Sequence, residues 1–139
     1  MLTLKVWHGL VIAAALLAMV FAMPTGAAMA SGKSCQQEAN GPLNTCSYVN
    51  GSGLHINYVQ GSVYNGGARD QANVHIQLTW PSGATIKNCS SATIGPGHTI
   101  FCTWSPNRSE PAGNYCANSW QYESGSYIQR GHACVDVHS

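Results

Sequence analysis

Three groups in the last third of this chain, Glu123, Arg130 and His132, lie close enough in sequence to suggest acid–base chemistry. A small secreted ribonuclease would use such a set, with carboxylate and imidazole moving protons and the guanidinium facing the charge that develops. A glycosidase needs two carboxyl groups facing each other across the scissile bond, and Glu110 with Glu123 is the pair to consider. His55, His75, His98, His132 and His138 are the candidate metal ligands. Zinc or copper would need three of them converging with fixed outer partners. No set has a diagnostic spacing. G-x-S-x-G, H-E-x-x-H, the G-x-x-x-x-G-K phosphate loop and an EF-hand loop are all missing from the sequence. The sequence therefore assigns no catalytic residue, no metal and no cofactor.

The cysteines give a firmer signal. Cys35, Cys46, Cys89, Cys102, Cys116 and Cys134 are an even set with no C-x-x-C pair, which in an exported chain reads as three disulfides rather than a zinc site. Gly95-Pro96-Gly97 lies between Cys89 and Cys102, and Glu123-Ser124-Gly125-Ser126 between Cys116 and Cys134. Closing each turn as a hairpin would set the two cysteines opposite one another. Cys35 and Cys46 would then close a loop over Gly41-Pro42. The expectation is sequential pairing, with an inter-sheet bridge as the alternative.

These residues need elements to hold them, and the pattern is one of strands. Val74, Ile76, Leu78 and Trp80 alternate with His75, Gln77 and Thr79, Leu54, Ile56 and Tyr58 with His55, Asn57 and Val59, and Ile100, Cys102 and Trp104 with Phe101 and Thr103. Residues 115–122 and 127–137 form two further runs, with Val135 and Val137 on one face. Turn signals at Asn50-Gly51, Asn65-Gly66-Gly67 and Pro81-Ser82-Gly83 separate them. Short, evenly punctuated strands predict an all-β fold, a small antiparallel β-sandwich, over 54–139. Residues 31–53 show no periodicity and are expected to be an N-terminal arm pinned by its own disulfide. Trp80, Trp104 and Trp120 are expected in the core. Tyr122 and Tyr127 flank the last turn and Tyr64 precedes a Gly-rich one, which makes these three the candidate ligand-binding rings.

Lys5, an uncharged apolar run over 9–23 and Ala28-Met29-Ala30 have the form of a cleaved signal peptide spanning 1–30. The run is shorter than the ~20 residues a bilayer requires. Beyond it, Lys33, Arg69, Lys87, Arg108 and Arg130 match Glu38, Asp70, Glu110, Glu123 and Asp136 one for one. A neutral, scattered balance, in a chain only 8% charged, offers neither nucleic acid nor anionic lipid a clustered positive surface.

Pro111-Ala112-Gly113-Asn114-Tyr115-Cys116-Ala117, followed by Trp120, resembles the turn-then-strand entry of immunoglobulin-like sandwiches, although their corner tyrosine stands two residues before the cysteine and Tyr115 stands one before. With the ending Gly131-His132-Ala133-Cys134-Val135-Asp136-Val137-His138, the segment is similar to small exported proteins of actinomycete-type Gram-positive bacteria. That likeness implies export and fold and carries no activity. The expected function is a secreted, monomeric, non-catalytic module that binds an extracellular carbohydrate, wall polymer or protein, with no nucleic-acid partner and no membrane contact after cleavage. The rival readings are a small secreted hydrolase or nuclease, or a protease inhibitor presenting the loop from Pro106 to Pro111.

Overall fold

The computed structural model describes residues 30–139, so the signal-peptide segment lies outside the described residues, apart from Ala30. Ten strands follow in order: β1 (Gly32–Gln37), β2 (Leu43–Ser52), β3 (His55–Asn65), β4 (Gln71–Thr79), β5 (Thr85–Asn88), β6 (Ala92–Ile94), β7 (Thr99–Trp104), β8 (Arg108–Ser109), β9 (Gly113–Glu123) and β10 (Ser126–Val137). They form two antiparallel sheets. The first has the order β1-β2-β3-β7, with β8 also on β3; the second has the order β10-β9-β4-β5, with β6 also on β4. The molecule is a disulfide-stapled β-sandwich. Among the described residues no helix is long and apolar enough to cross a membrane.

The inner faces bury Val49, Ile56, Val59, Val63, Val74, Ile76, Leu78, Ile94, Tyr115 and Val137 completely or nearly so. Burying one such side chain contributes roughly 1.5–3 kcal/mol. Tyr115 donates its hydroxyl proton to the Pro111 carbonyl at 2.7 Å, which ties the entry of β9 to the turn before it. Burial, with the Glu110 charge adding, raises its phenol to about 12.

The expected arm at 31–53 is corrected: β1 and β2 are integral strands, and β2 pairs along nearly its whole length with β3. Leu43, Thr45, Ser47 and Val49 of β2 all face inward. Two of the four are polar, and that hid the period. Their hydroxyls are satisfied across the sandwich, Thr45 Oγ1 with Ser119 Oγ at 2.7 Å and Ser47 Oγ donating to the Tyr115 carbonyl at 3.0 Å, as buried polar groups require.

All three disulfides pair sequentially: Cys35–Cys46, Cys89–Cys102 and Cys116–Cys134. Two join residues directly opposite on neighbouring strands, with Cα atoms 4.0 Å apart. Cys89–Cys102 does not cross a hairpin. It links the segment after β5 in the second sheet to β7 in the first, with Cα atoms 5.8 Å apart. The pairing matches one expectation and the inter-sheet geometry matches the alternative.

Bulges set which side chains face out. Where β10 pairs with β9 the register shifts between Gln129 and Gly131. One extra residue, Arg130, reverses the parity of the strand. Tyr127 and Gln129 then share the outer face with His132 and Cys134, while Ala133, Val135 and Val137 point in. Gly131 packs directly against the other sheet, and a Cβ there would run into the Thr45 and Ser119 side chains. A second shift, between Asn50 and Gly51, turns Tyr58 outward against Tyr48 although Ile56 faces in. The β9–β10 turn has positive φ at both Ser124 and Gly125, the two-residue hairpin geometry whose twist suits its strands.

Candidate functional site

The outer face of the second sheet is built in cross-strand rows. Cys134 and Cys116 make one row with Thr79; His132, Asn118, Gln77 and Asn88 make the next; Gln129, Trp120 and His75 a third; and Tyr127 with Tyr122 a fourth. Successive rows lie roughly 7 Å apart along the strands. Trp120 is therefore on the outer face, not in the core as expected. It does share a face with Cys116, but Tyr115, Ala117, Ser119 and Gln121 hold the inner one. Trp80 and Trp104 do pack against the core, with ring centroids 4.8 Å apart.

Two hollows open on this face. One, of about 540 Å³, is lined by His75, Gln77, Asn88, Ser90, Trp120 and Tyr127. The other, of about 470 Å³, is lined by Gln77, Thr79, Asn118, Trp120, Gln129 and His132. Trp120 and Gln77 belong to both, so the indole stands between two halves of one trough. Hydrogen bonds hold the parts in place. Trp120 Nε1 donates to Gln77 Oε1 at 3.2 Å, and Gln77 Nε2 donates to Thr85 Oγ1 at 2.9 Å. Asn118, only 5% exposed, accepts from Gln129 Nε2 at 3.1 Å and contacts His132 Nδ1. No Lys, Arg, Asp or Glu lines either hollow.

His75 forms one wall. Its ring meets Tyr127 edge-on at 5.1 Å, burial lowers its pKa, and its buried Nδ1 has no hydrogen-bond partner. Leaving a buried nitrogen unpartnered costs about 1–3 kcal/mol.

Of the three expected ligand-binding tyrosines, the structure brings two together. Tyr122 and Tyr127 have ring centroids 5.1 Å apart and are 45% and 55% exposed. Tyr64 belongs to β3 and faces out from the first sheet, so a three-tyrosine platform does not exist. The residue that sequence reasoning missed is Trp120. The signal available was its two-residue spacing from Cys116, a cysteine whose partner lies on an outer row.

The catalytic candidates assemble only in part: Glu123 meets Arg130 at 2.7 Å, and Arg130 and His132 line one polar hollow with Glu38, but no carboxylate contacts the His132 ring. Arg130 spends its guanidinium on three partners: Glu38 at 3.2 Å, Glu123 at 2.7 Å and Gln121 Oε1 at 3.0 Å. This network ties the β1–β2 turn to the β10 bulge, and Glu38, Arg130 and His132 line a polar hollow of about 540 Å³ there. The His132 ring is turned instead to Asn118 and to Cys134 Sγ, 3.1 Å from Nε2. Glu110 precedes β9 and pairs with Arg108 at 2.7 Å, while Glu123 ends β9. An eleven-residue strand separates them by roughly 35 Å, far beyond any glycosidase spacing. Cys116, His132 and Cys134 cluster, but both sulfurs are in a disulfide and no thiolate is offered to a metal. The loop from Pro106 to Pro111 is exposed but anchored. Its residues Arg108 and Ser109 pair with β3 as β8, and the Glu110 amide donates to the Leu54 carbonyl.

Comparison with protein-family models, with curated proteins and with solved structures finds no match for this chain.

Proposed function

We propose that the protein is a secreted, non-catalytic binding module whose ligand lies on the outer face of the β10-β9-β4-β5 sheet. The observation that carries this reading is the pair of hollows that adjoin at Trp120, which combine the partly buried indole and the exposed Tyr127 ring with prepositioned side-chain amides. Concave surfaces with apolar walls and a few oriented polar groups are the usual form of a binding site. Three disulfides and the leader-like segment 1–30 support export, as does the similarity to small exported actinomycete-type proteins. The Tyr115–Pro111 hydrogen bond favours an immunoglobulin-like relationship.

Catalysis is disfavoured on chemical grounds. General acid–base chemistry needs the proton-transferring groups within hydrogen-bond reach of one another or of one reacting atom, whereas Arg130 is shared between Glu38, Glu123 and Gln121 and the His132 ring meets Asn118 and Cys134. An inhibitor would present its loop as an extended, unpaired segment, whereas Arg108 and Ser109 of the Pro106–Pro111 loop pair with β3.

The test is capture by the purified, oxidised protein from insoluble polysaccharides and culture-supernatant proteins. A ligand retained by the native protein and by a Tyr64→Ala variant, but lost on Trp120→Ala, is the expected result. Retention that ignores Trp120, or turnover of a captured polymer, would overturn the reading.

A further inference from the structure

We propose that the trough takes an uncharged, unbranched polysaccharide segment, laid across the strands with a sugar ring stacked on Trp120. The inference rests on the second sheet's outer face being the binding face and goes further by assigning the ligand's chemical class.

Charge decides the first part. Neither hollow is lined by a Lys, Arg, Asp or Glu side chain. Polymers bearing carboxylate, sulfate or phosphate are held by guanidinium and ammonium groups. The guanidinium of Arg130, which follows Gln129 on β10, is already held by two carboxylates and an amide. A charged chain would lose water on entering the trough and find no counter-charge there.

Hydrogen-bond chemistry decides the second. Sugar hydroxyls donate and accept at once, and so do carboxamides. Gln77, Asn88 and Gln129 present carboxamides on this face, with Asn118 buried beneath as the acceptor that orients Gln129, and Ser90 adds a hydroxyl. Several are fixed before any ligand arrives, through Thr85, Trp120 and one another, which lowers the entropy cost of binding. A peptide adding to a sheet uses backbone groups along an edge strand. Here the site is the face, and its polar groups are side chains.

Shape decides the third. The row His132, Asn118, Gln77 and Asn88 crosses four neighbouring strands, a span of roughly 14 Å. That is longer than one sugar ring. The aromatic row beside it places Trp120 midway, where the negative π face of the indole can meet the polarised C–H face of a pyranose. Stacking on a single central ring with amides to either side describes a polymer segment and not a monosaccharide pocket.

The experiment is calorimetric titration of the oxidised protein with cellohexaose, xylohexaose, mannohexaose, chitohexaose and, as the anionic counterpart, hexagalacturonate. One neutral hexasaccharide is expected to bind, with affinity unchanged within twofold between 50 and 500 mM salt, because no ion pair is involved. Trp120→Ala should weaken it at least tenfold, Trp120→Phe less, and Asn88→Ala about threefold. Thermal melts and a thiol count confirm that each variant is folded and oxidised, and Asn88→Ala, outside the aromatic row, keeps the test open if Trp120→Ala misfolds. Binding of no neutral hexasaccharide, or preference for hexagalacturonate, overturns the inference. If in addition a supernatant protein is captured in a Trp120-dependent way, the binding face stands and only the ligand class falls. If a neutral hexasaccharide binds but neither Trp120 nor Asn88 matters, both fall.

Discussion

The two outer faces of this sandwich carry similar inventories and differ in arrangement. Each has a cross-strand disulfide between directly opposed residues, Cys35–Cys46 on the first sheet and Cys116–Cys134 on the second. Each has a tyrosine pair, Tyr48–Tyr58 at 5.7 Å and Tyr122–Tyr127 at 5.1 Å. The first face even presents the more exposed ring, Phe101 at 61%. On the second face the central ring is held edge-on by an amide and stands between two hollows. Counting aromatics would not separate the faces. Placing a ring between oriented hydrogen-bonding groups does.

The largest expected effect comes from the disulfides. Replacing either outer-face pair with serines removes a crosslink closing a loop of 11 or 18 residues, worth about 3 kcal/mol in the chain-entropy model. Thermal melts should show similar losses for Cys35→Ser/Cys46→Ser and Cys116→Ser/Cys134→Ser. Only the second pair should also alter ligand capture, because Cys134 touches the His132 ring of the trough. Equal effects on capture would erase the distinction between the faces.

Gly131→Ala comes next. The new methyl must displace the Thr45 and Ser119 side chains, at a cost of roughly 1–3 kcal/mol for overpacking. Because the substitution sits at the bulge that aims His132 and Cys134, denaturant melts should show the loss of stability and capture should weaken with it. Gly67→Ala is a similarly crowded control far from the trough, with a Cβ meeting Pro42, and should lower stability without a specific change in capture. Phe101→Ala sharpens the comparison from the other side. It should leave capture within twofold of native and change stability by no more than about 0.5 kcal/mol, as for most exposed positions.

The smallest effects are with pH. Burial lowers the His75 pKa from its ordinary 6.5, so the folded state favours the neutral ring. Its contribution is complete above pH 6.5 and is lost as pH falls from there through the lowered value. His75→Gln should flatten that acid slope in melts from pH 7 to 5. The Tyr115 phenol, raised from 10.0 to about 12, works in the opposite direction: its contribution is complete below pH 10.0 and is lost as pH rises toward 12. Tyr115→Phe should flatten the alkaline slope while leaving the acid one.

How much of this was legible in the sequence varies by element. The strands from Val74 to Trp80 and from Ile100 to Trp104 alternate cleanly, and their inner faces follow the pattern. β2 did not announce itself because Thr45 and Ser47 take core positions and find hydroxyl and carbonyl partners across the sandwich. The face of β9 was ambiguous for a related reason: Ser119 and Gln121 are buried while Trp120 is only partly so. Gln121 can be buried because its amide donates to the Ala72 carbonyl at 3.0 Å. Such partners are far away in sequence, so no local pattern contains them.

By itself the sequence determined the all-β class, the punctuation between strands and the sequential order of the crosslinks. Alternation, turn residues and cysteine spacing are local properties that survive in a one-dimensional reading. The tertiary structure decided which face each strand offers, that Cys89–Cys102 spans the sheets, and that Trp120 and not Tyr64 joins Tyr122 and Tyr127. A single inserted residue at Arg130 reverses the parity of everything beyond it, and only the pairing of the strands reveals where that insertion lies.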